Sequence, residues 1–368
     1  MRILLCTPYN INPRVAQSGI AVWAQNIIDY YQLQDGKFQI DIVPFDRKAK
    51  KRKKAEYGLL RRAVSGIVDY WGPVRESLKK LTVDNYDVVH LCTSASISLA
   101  KDILLLKRAK KKGVKSIIHF HFGRVPELSQ KGGWEWALLN RVVRVADVVV
   151  TMDMYSYTTL CQNGYSSVRY LPNPLSRQIT NQINQDAKYI RRQENRICFV
   201  GHVIPTKGVY ELVQACRDLK GIQLNIVGEV STEVKKNIEF LSGGGQWLSL
   251  KGELSHSEVI SEMLSSEVFV LPTYTEGFPN VILESMACGC AIVTTPVGAI
   301  PEMLNLSSDS PCGLCAEVKN VDDLRNKISY LINNKTIAKG FADRARHRVN
   351  EMYAVPKVWR QLVDIWES

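Results

Sequence analysis

Short apolar runs recur along the 368-residue chain, separated by longer segments whose apolar positions repeat at helical spacing. In the first half the runs predict strands at Ile3–Cys6, Ile40–Phe45, Val88–Leu91, Ser116–Phe120 and Val148–Thr151. Amphipathic helices are expected between them at Ala21–Gln32, Ile97–Lys112 and Trp134–Val145. A polar stretch rich in Gln and Asn, 176–195, interrupts the periodicity and reads as a linker running into a charged helix or turn. The alternation restarts at Arg196-Ile197-Cys198-Phe199-Val200-Gly201, with further strands expected at Gln223–Val227, Trp247–Leu250, Val268–Leu271 and Ala291–Thr294. This is the pattern of βαβ units and parallel sheets. It predicts two α/β halves, 1–175 and 196–353, and a final amphipathic helix in 354–368 that carries Trp359 and Trp366 and packs back toward the first. Open α/β sheets take ligands at the carboxyl ends of their strands, so the cleft between two such halves is the expected site.

Composition changes this picture little, with 45% apolar and 23% charged residues. No apolar run approaches a bilayer-spanning length, and the first strand is too short for a secretion signal, so the chain is expected in the cytoplasm. Nine scattered cysteines fit reduced thiols, and Cys288 and Cys290 read as small buried hydrophobes rather than zinc ligands. Charge changes the picture more. Residues 1–175 hold 27 Lys/Arg against 14 Asp/Glu, whereas residues 176–368 hold 21 against 22. The excess includes seven cations in the eight residues Arg47–Lys54, a segment that suits an anionic partner such as a membrane surface.

Several common signatures are missing: the Walker phosphate loop, G-x-G-x-x-G, the G-x-S-x-G elbow and H-E-x-x-H. The informative segment runs from Leu271 to Gly289. A strand ends, a loop carries Glu276 and Gly277, and Pro279 falls where a first helical turn is expected. The helix should run to Gly289, with its positive dipole end and backbone N–H groups near Gly277, Phe278, Pro279, Asn280 and Val281 suited to a diphosphate. Glu276 and Glu284 are too widely spaced along such an element for a hydrolytic pair and better suit two hydroxyl groups of one ligand. Gly201-His202-Val203-Ile204-Pro205-Thr206-Lys207-Gly208 adds a glycine turn and a mobile cation after the first strand of the second half.

Together these motifs resemble the retaining glycosyltransferases of family 4, which have the GT-B fold. The E-x₇-E motif with E-G-F-P-N, the G-x₅-K-G turn, Leu224–Gly228 and Thr294–Glu302 carry the resemblance in the second half. Ser18-Gly19-Ile20, His119-Phe120-His121 and Leu171-Pro172-Asn173-Pro174 carry it more loosely in the first. It implies two Rossmann-like domains and transfer of a sugar from a nucleotide-diphosphate-sugar to a hydroxyl of a glycan or lipid-diphosphate-linked acceptor. By that resemblance Glu284 binds the ribose, Glu276 the donor sugar and Lys207 the diphosphate. Gly201, Gly228, Gly252 and Leu254 line the donor site, where the residues from 228 to 254 select the base. Position 202 carries His where many relatives have an arginine that contacts phosphate; the His form resembles members from bacterial surface-polysaccharide pathways. His121 matches a histidine near the reacting carbon, His119 reads as packed or hydrogen-bonded support, and Gly19 matches a loop that approaches the donor phosphates. No metal or other cofactor is implied, and UDP is the base that the family favours. The leaving phosphate itself helps to deprotonate the acceptor, so no strong protein base is required.

Two other readings compete. A nucleotide-sugar epimerase or hydrolase of the same fold would bind the same donor but need no acceptor. An inactive scaffold that binds polyanions would use the basic segment, although nucleic-acid modules interleave aromatics with their cations and residues 47–54 contain none.

Overall fold

The computed structural model describes residues 1–9, 18–34, 36–45, 59–94 and 96–368, so Arg47–Lys54 lie outside the described residues. Two compact units divide the chain. The first comprises Met1–Pro172 and Trp359–Ser368, the second Asn173–Val358.

The first unit is a six-stranded sheet of β1 (Arg2–Thr7), β2 (Gln39–Pro44), β3 (Val88–Thr93), β4 (Lys115–Phe120), β5 (Val148–Thr151) and β6 (Val168–Tyr170). Every pairing is parallel, in the order β2-β1-β3-β4-β5-β6. Strand residues alternate between the two faces. Leu4, Leu91, Ile118 and Phe120 join the core built with the helices Ser98–Lys111 and Gly133–Val145. His90 and His119 therefore face the opposite side, where helix Gly19–Tyr31 supplies the buried Trp23.

The second unit repeats the architecture with β7 (Gln193–Val200), β8 (Gln223–Val227), β9 (Leu248–Gly252), β10 (Ser266–Leu271), β11 (Ala291–Thr294) and β12 (Leu314–Cys315). Its order is β12-β11-β10-β7-β8-β9, again all parallel. The order reverses between β7 and β10, and ligands bind beside strand ends at such a switch point in open α/β sheets. Phe199 and Phe269 are fully buried in these two central strands. Each such side chain contributes about 1.5–3 kcal/mol relative to exposure.

The elements differ from the sequence expectations in instructive places. Residues 176–195 are not a free linker: Arg177–Asp186 form a helix of the second unit, capped by Ser176 Oγ, and β7 already begins at Gln193. A helix outside the expected set spans Leu59–Val83 and takes Pro73 into its interior. Pro279 is the residue before the helix Asn280–Cys288 rather than part of its first turn, with φ −74° and ψ 111°. Gly289 ends that helix in the left-handed conformation, and a Cβ there would lie 2.1 Å from Arg346 Nη2. The last helix, Val355–Glu367, starts in the second unit, and its residues from Trp359 onward belong to the first. No described helix is long and apolar enough to cross a membrane.

Candidate active site at the strand ends of the second unit

Loops leaving β7, β8, β10 and β11 meet at the switch point, and close backbone packing holds them there. Gly228 N donates to Gly252 O at 2.8 Å, and Gly201 N donates to Val227 O at 3.0 Å. Gly228 has φ +143°, and a Cβ on it would lie 1.8 Å from the Gly201 carbonyl oxygen. Only glycine lets the two loops touch in this way. A short turn, Pro205–Lys207, follows β7 and ends at Gly208, whose φ is +71° and whose added Cβ would lie 2.0 Å from Pro272 O. Tyr274 N donates to Thr206 O at 2.9 Å and ties this turn to the loop after β10.

That contact brings Lys207 Nζ onto Glu276 Oε1 in an ion pair, with side-chain exposures of 23% and 12%. The carboxylate's own loop is fixed from β11: Ala299 N donates to Gly277 O at 2.9 Å, and Thr295 Oγ1 donates to Thr273 O. Tyr274 Oη donates to Glu211 Oε1 at 2.6 Å; burial and this carboxylate push the tyrosine pKa up, so the phenol stays protonated. Phe278 is buried against Tyr353 at a ring separation of 5.7 Å. Asn173 Nδ2 donates to Asn280 Oδ1 at 3.2 Å and to Phe278 O at 3.4 Å.

Glu284 lies one turn into the helix Asn280–Cys288, its side chain 12% exposed. His256 Nε2 sits 3.1 Å from Glu284 Oε1, and this hydrogen bond raises the imidazole pKa above its ordinary value. The capping box of Ser255 and Glu258 begins the helix His256–Ser265 and so sets where His256 stands. Val281 is half-buried beside these groups, Leu254 is half-buried in the loop after β9, and His202 is exposed. Gly252 ends β9 with φ +70°.

The structure thus gathers Gly201, Lys207, Gly228, Glu276 and the segment 277–281 at adjoining strand ends, with Glu284 on the helix that follows. Gly19 and His121 lie in the first unit. Gly19 is the first residue of a helix capped by Ser18 Oγ, and a Cβ there would meet no atom within 4 Å. His121 joins a ring cluster at the end of β4, 5.0 Å from Trp23 and 3.9 Å from His119 by ring centroids. His90 completes this cluster, and sequence reasoning missed it; the signal was a histidine inside the apolar run Val88–Cys92. Sequence reasoning also missed Tyr274, Glu211 and His256, which carry no motif of their own.

His90, Cys92 and His119 place ligand-type atoms within 4.8 Å of one another. Their hydrogen bonding works against a cation. Trp366 Nε1 donates to His90 Nδ1 at 3.1 Å, and His90 Nε2 lies 3.4 Å from His119 Nδ1. Indole is a donor only, so neutral His90 carries its proton on Nε2, the atom a metal would need bare. Burial also raises the Cys92 thiol pKa and keeps its sulfur protonated.

Residues 181–348 match the family model of glycosyl transferases group 1. The capsular polysaccharide biosynthesis glycosyltransferase CapM of Staphylococcus aureus is 28% identical over 47% of this chain and 46% of its own. The N,N'-diacetylbacillosaminyl-diphospho-undecaprenol alpha-1,3-N-acetylgalactosaminyltransferase of Campylobacter jejuni is 31% identical over 40% and 38%. The chain spans about half the length of the curated relatives it matches. Across the whole chain the fold is that of the GT-B glycosyltransferases. The crystal structure of HepE from Anabaena in complex with UDP aligns with TM-score 0.68 and 16% identity, covering 99% of both chains.

Proposed function

We propose that this protein is a retaining, metal-independent glycosyltransferase of family 4. It moves a sugar from a nucleotide-diphosphate-sugar, with UDP as the favoured nucleotide, to a hydroxyl of a glycan or lipid-diphosphate-linked acceptor in bacterial surface-polysaccharide synthesis. The observation that carries this reading is the Lys207–Glu276 pair at the β7/β10 switch point, one loop away from a helix start and its carboxylate Glu284. In this reading the diphosphate takes Lys207 and the helix N-terminus, which stabilise charge that grows as the glycosidic bond breaks. Freed from Lys207, Glu276 accepts hydrogen bonds from the sugar hydroxyls while Glu284 holds the ribose. Gly201, Gly228, Gly252 and Leu254 border the nucleotide, and Gly277, Phe278, Pro279, Asn280 and Val281 present backbone to sugar and phosphate. His121 orients the sugar from the first unit, and Gly19 and His202 stand as further phosphate contacts. The names of the two relatives, one of capsule synthesis and one with an undecaprenyl-diphosphate acceptor, support the acceptor class.

The test is a screen of purified protein against nucleotide sugars, reading nucleotide release with and without lipid-diphosphate-linked sugars. Acceptor-dependent release with the anomeric configuration kept is expected, in the presence of chelator. Release of an altered sugar without acceptor would favour the epimerase or hydrolase reading instead. The proposed site of action is the inner face of the membrane, reached peripherally through Arg47–Lys54. Each cation near an anionic surface contributes about 1 kcal/mol, an attraction that salt weakens. Co-sedimentation with anionic vesicles should therefore fall at high salt and on changing Lys50, Lys51, Arg52, Lys53 and Lys54 to Ser. Equal sedimentation of variant and wild type would remove that role.

A further inference from the structure

The histidines of the first unit form a chain of hydrogen bonds with a single direction. Trp366 stands at its head, 1% exposed and held by ring contacts to Phe38 and Trp359 at 5.8 and 5.6 Å. Lys115 Nζ pins the same helix end by donating to Ile365 O at 2.9 Å and to Trp366 O at 3.2 Å. From this fixed position the indole N–H donates to His90 Nδ1 at 3.1 Å. An indole nitrogen has no lone pair to offer, so His90 must accept there and keep its proton on Nε2. That proton points at His119 Nδ1, 3.4 Å away and at the long end of hydrogen-bonding distance. His119 accepts in turn, which leaves its own proton on Nε2.

The chain stops at that atom. His119 Nε2 is buried and has no partner among the described residues, and neither do Trp23 Nε1 and His121 Nε2 beside it. The rings are close: Trp23 stands edge-on to His119 at 4.9 Å, and His119 lies 3.9 Å from His121. Buried N–H groups are nearly always paired in native proteins, so an orphan at a strand end marks a place where a ligand atom fits. Burial holds the His90 and His121 pKa values down to about 3 and pushes that of His119 well below its ordinary value. All three rings are therefore neutral at physiological pH, and a neutral donor suits an uncharged oxygen better than a phosphate.

We propose that Trp366 is a positioning residue that, through His90, locks His119 as the Nε2–H tautomer, so that the first unit presents a fixed donor beside His121 to a hydroxyl of the substrate. The tautomer chain stands apart from the function proposed above, whereas its use in sugar transfer rests on that reading. A buried indole on the last helix thereby gains a task beyond packing. Its hydrogen bond selects one of two tautomers at a site two residues further along the chain of contacts.

The experiment is two-bond ¹H–¹⁵N spectroscopy of the labelled full-length protein, which reports each imidazole tautomer. Wild type should show Nε2–H at both His90 and His119. Trp366→Phe keeps the ring and removes the donor, and it should leave both residues in mixed tautomers. Trp359→Phe, in the same aromatic cluster, should leave them as in wild type and so controls for loss of packing. Nδ1–H at either residue in wild type, or unchanged tautomers in Trp366→Phe, would overturn the lock. Stoichiometric zinc that moves the His90 and His119 resonances would overturn it too, in favour of a metal site. For the functional arm, turnover with the nucleotide sugar that wild type uses should fall about tenfold in Trp366→Phe and stay near wild type in Trp359→Phe. Full turnover in Trp366→Phe with its tautomers scrambled would remove the positioning role. The spectra are readable even in a protein with no measurable transfer, so failure of the glycosyltransferase reading leaves the tautomer result intact.

Discussion

The two sheets end in opposite chemistry. At the strand ends of the second unit charge is concentrated: Lys207 on Glu276, His256 on Glu284, and a helix N-terminus between them. At β3 and β4 of the first unit charge is removed, and three neutral imidazoles lie packed among indole rings. In the reading proposed above, the same α/β architecture serves two kinds of recognition. An ion pair is a poised site for a charged ligand, because a phosphate can take the cation and release the carboxylate for another partner. A directed chain of neutral donors offers fixed geometry but no compensation for a charge. In that reading the diphosphate goes with the first arrangement, and the second adds an uncharged donor for a hydroxyl.

Lys207 gives the largest expected effect and the most direct way to break this contrast. Lys207→Ala removes a cation aimed at charge that grows in the transition state, and losing one such group costs about 10²–10³ in turnover. Steady-state rates with the preferred nucleotide sugar check this. A loss of less than tenfold would place the charge chemistry elsewhere. Glu284 sharpens the contrast from the other side. Its carboxylate offers hydrogen bonds that ground state and transition state use alike, so Glu284→Ala should raise the donor KM about 10–100-fold and leave turnover within a few-fold. Its partner His256 is half exposed and the pair is weak, so the melting temperature should move little. Unchanged KM would detach Glu284 from the donor.

Much of the fold was legible in the sequence, and the part that was not has a physical reason. Strands at Val148–Thr151, Gln223–Val227 and Ala291–Thr294 lie where their apolar runs stand. A turn at Gly201 after the first strand of the second unit was also readable, whereas the close backbone contacts at Gly208 and Gly228 were not. What could not be read is pairing at a distance. Nothing in Val88–Cys92 says that His90 meets an indole 276 positions later. The link of Tyr274 to Glu211 is likewise a product of loops folding onto each other, not of any local pattern. The helix Leu59–Val83, which holds Pro73 in its interior, was not among the expected elements. The polar composition of 176–195 left helix and turn open, because the helix there buries only Ile179 and Ile183.

The smallest effect concerns His256, and its sign tests whether the charge of the second unit is coupled rather than merely adjacent. Two influences oppose each other at this imidazole. The Glu284 carboxylate, 3.1 Å away, favours the protonated form, whereas partial burial disfavours it. The pKa is raised, so the carboxylate wins. A group whose folded pKa lies above its unfolded value stabilises the fold fully below the unfolded value, near 6.5, and loses that contribution as pH rises through the folded value. The imidazole is 54% exposed, so solvent screens the pair, and the net contribution should be about 0.5 kcal/mol. Urea denaturation of wild type and His256→Ala should therefore differ by that amount at pH 5.5 and converge above pH 8. A gap that widens with pH instead would mean that burial, not Glu284, governs His256.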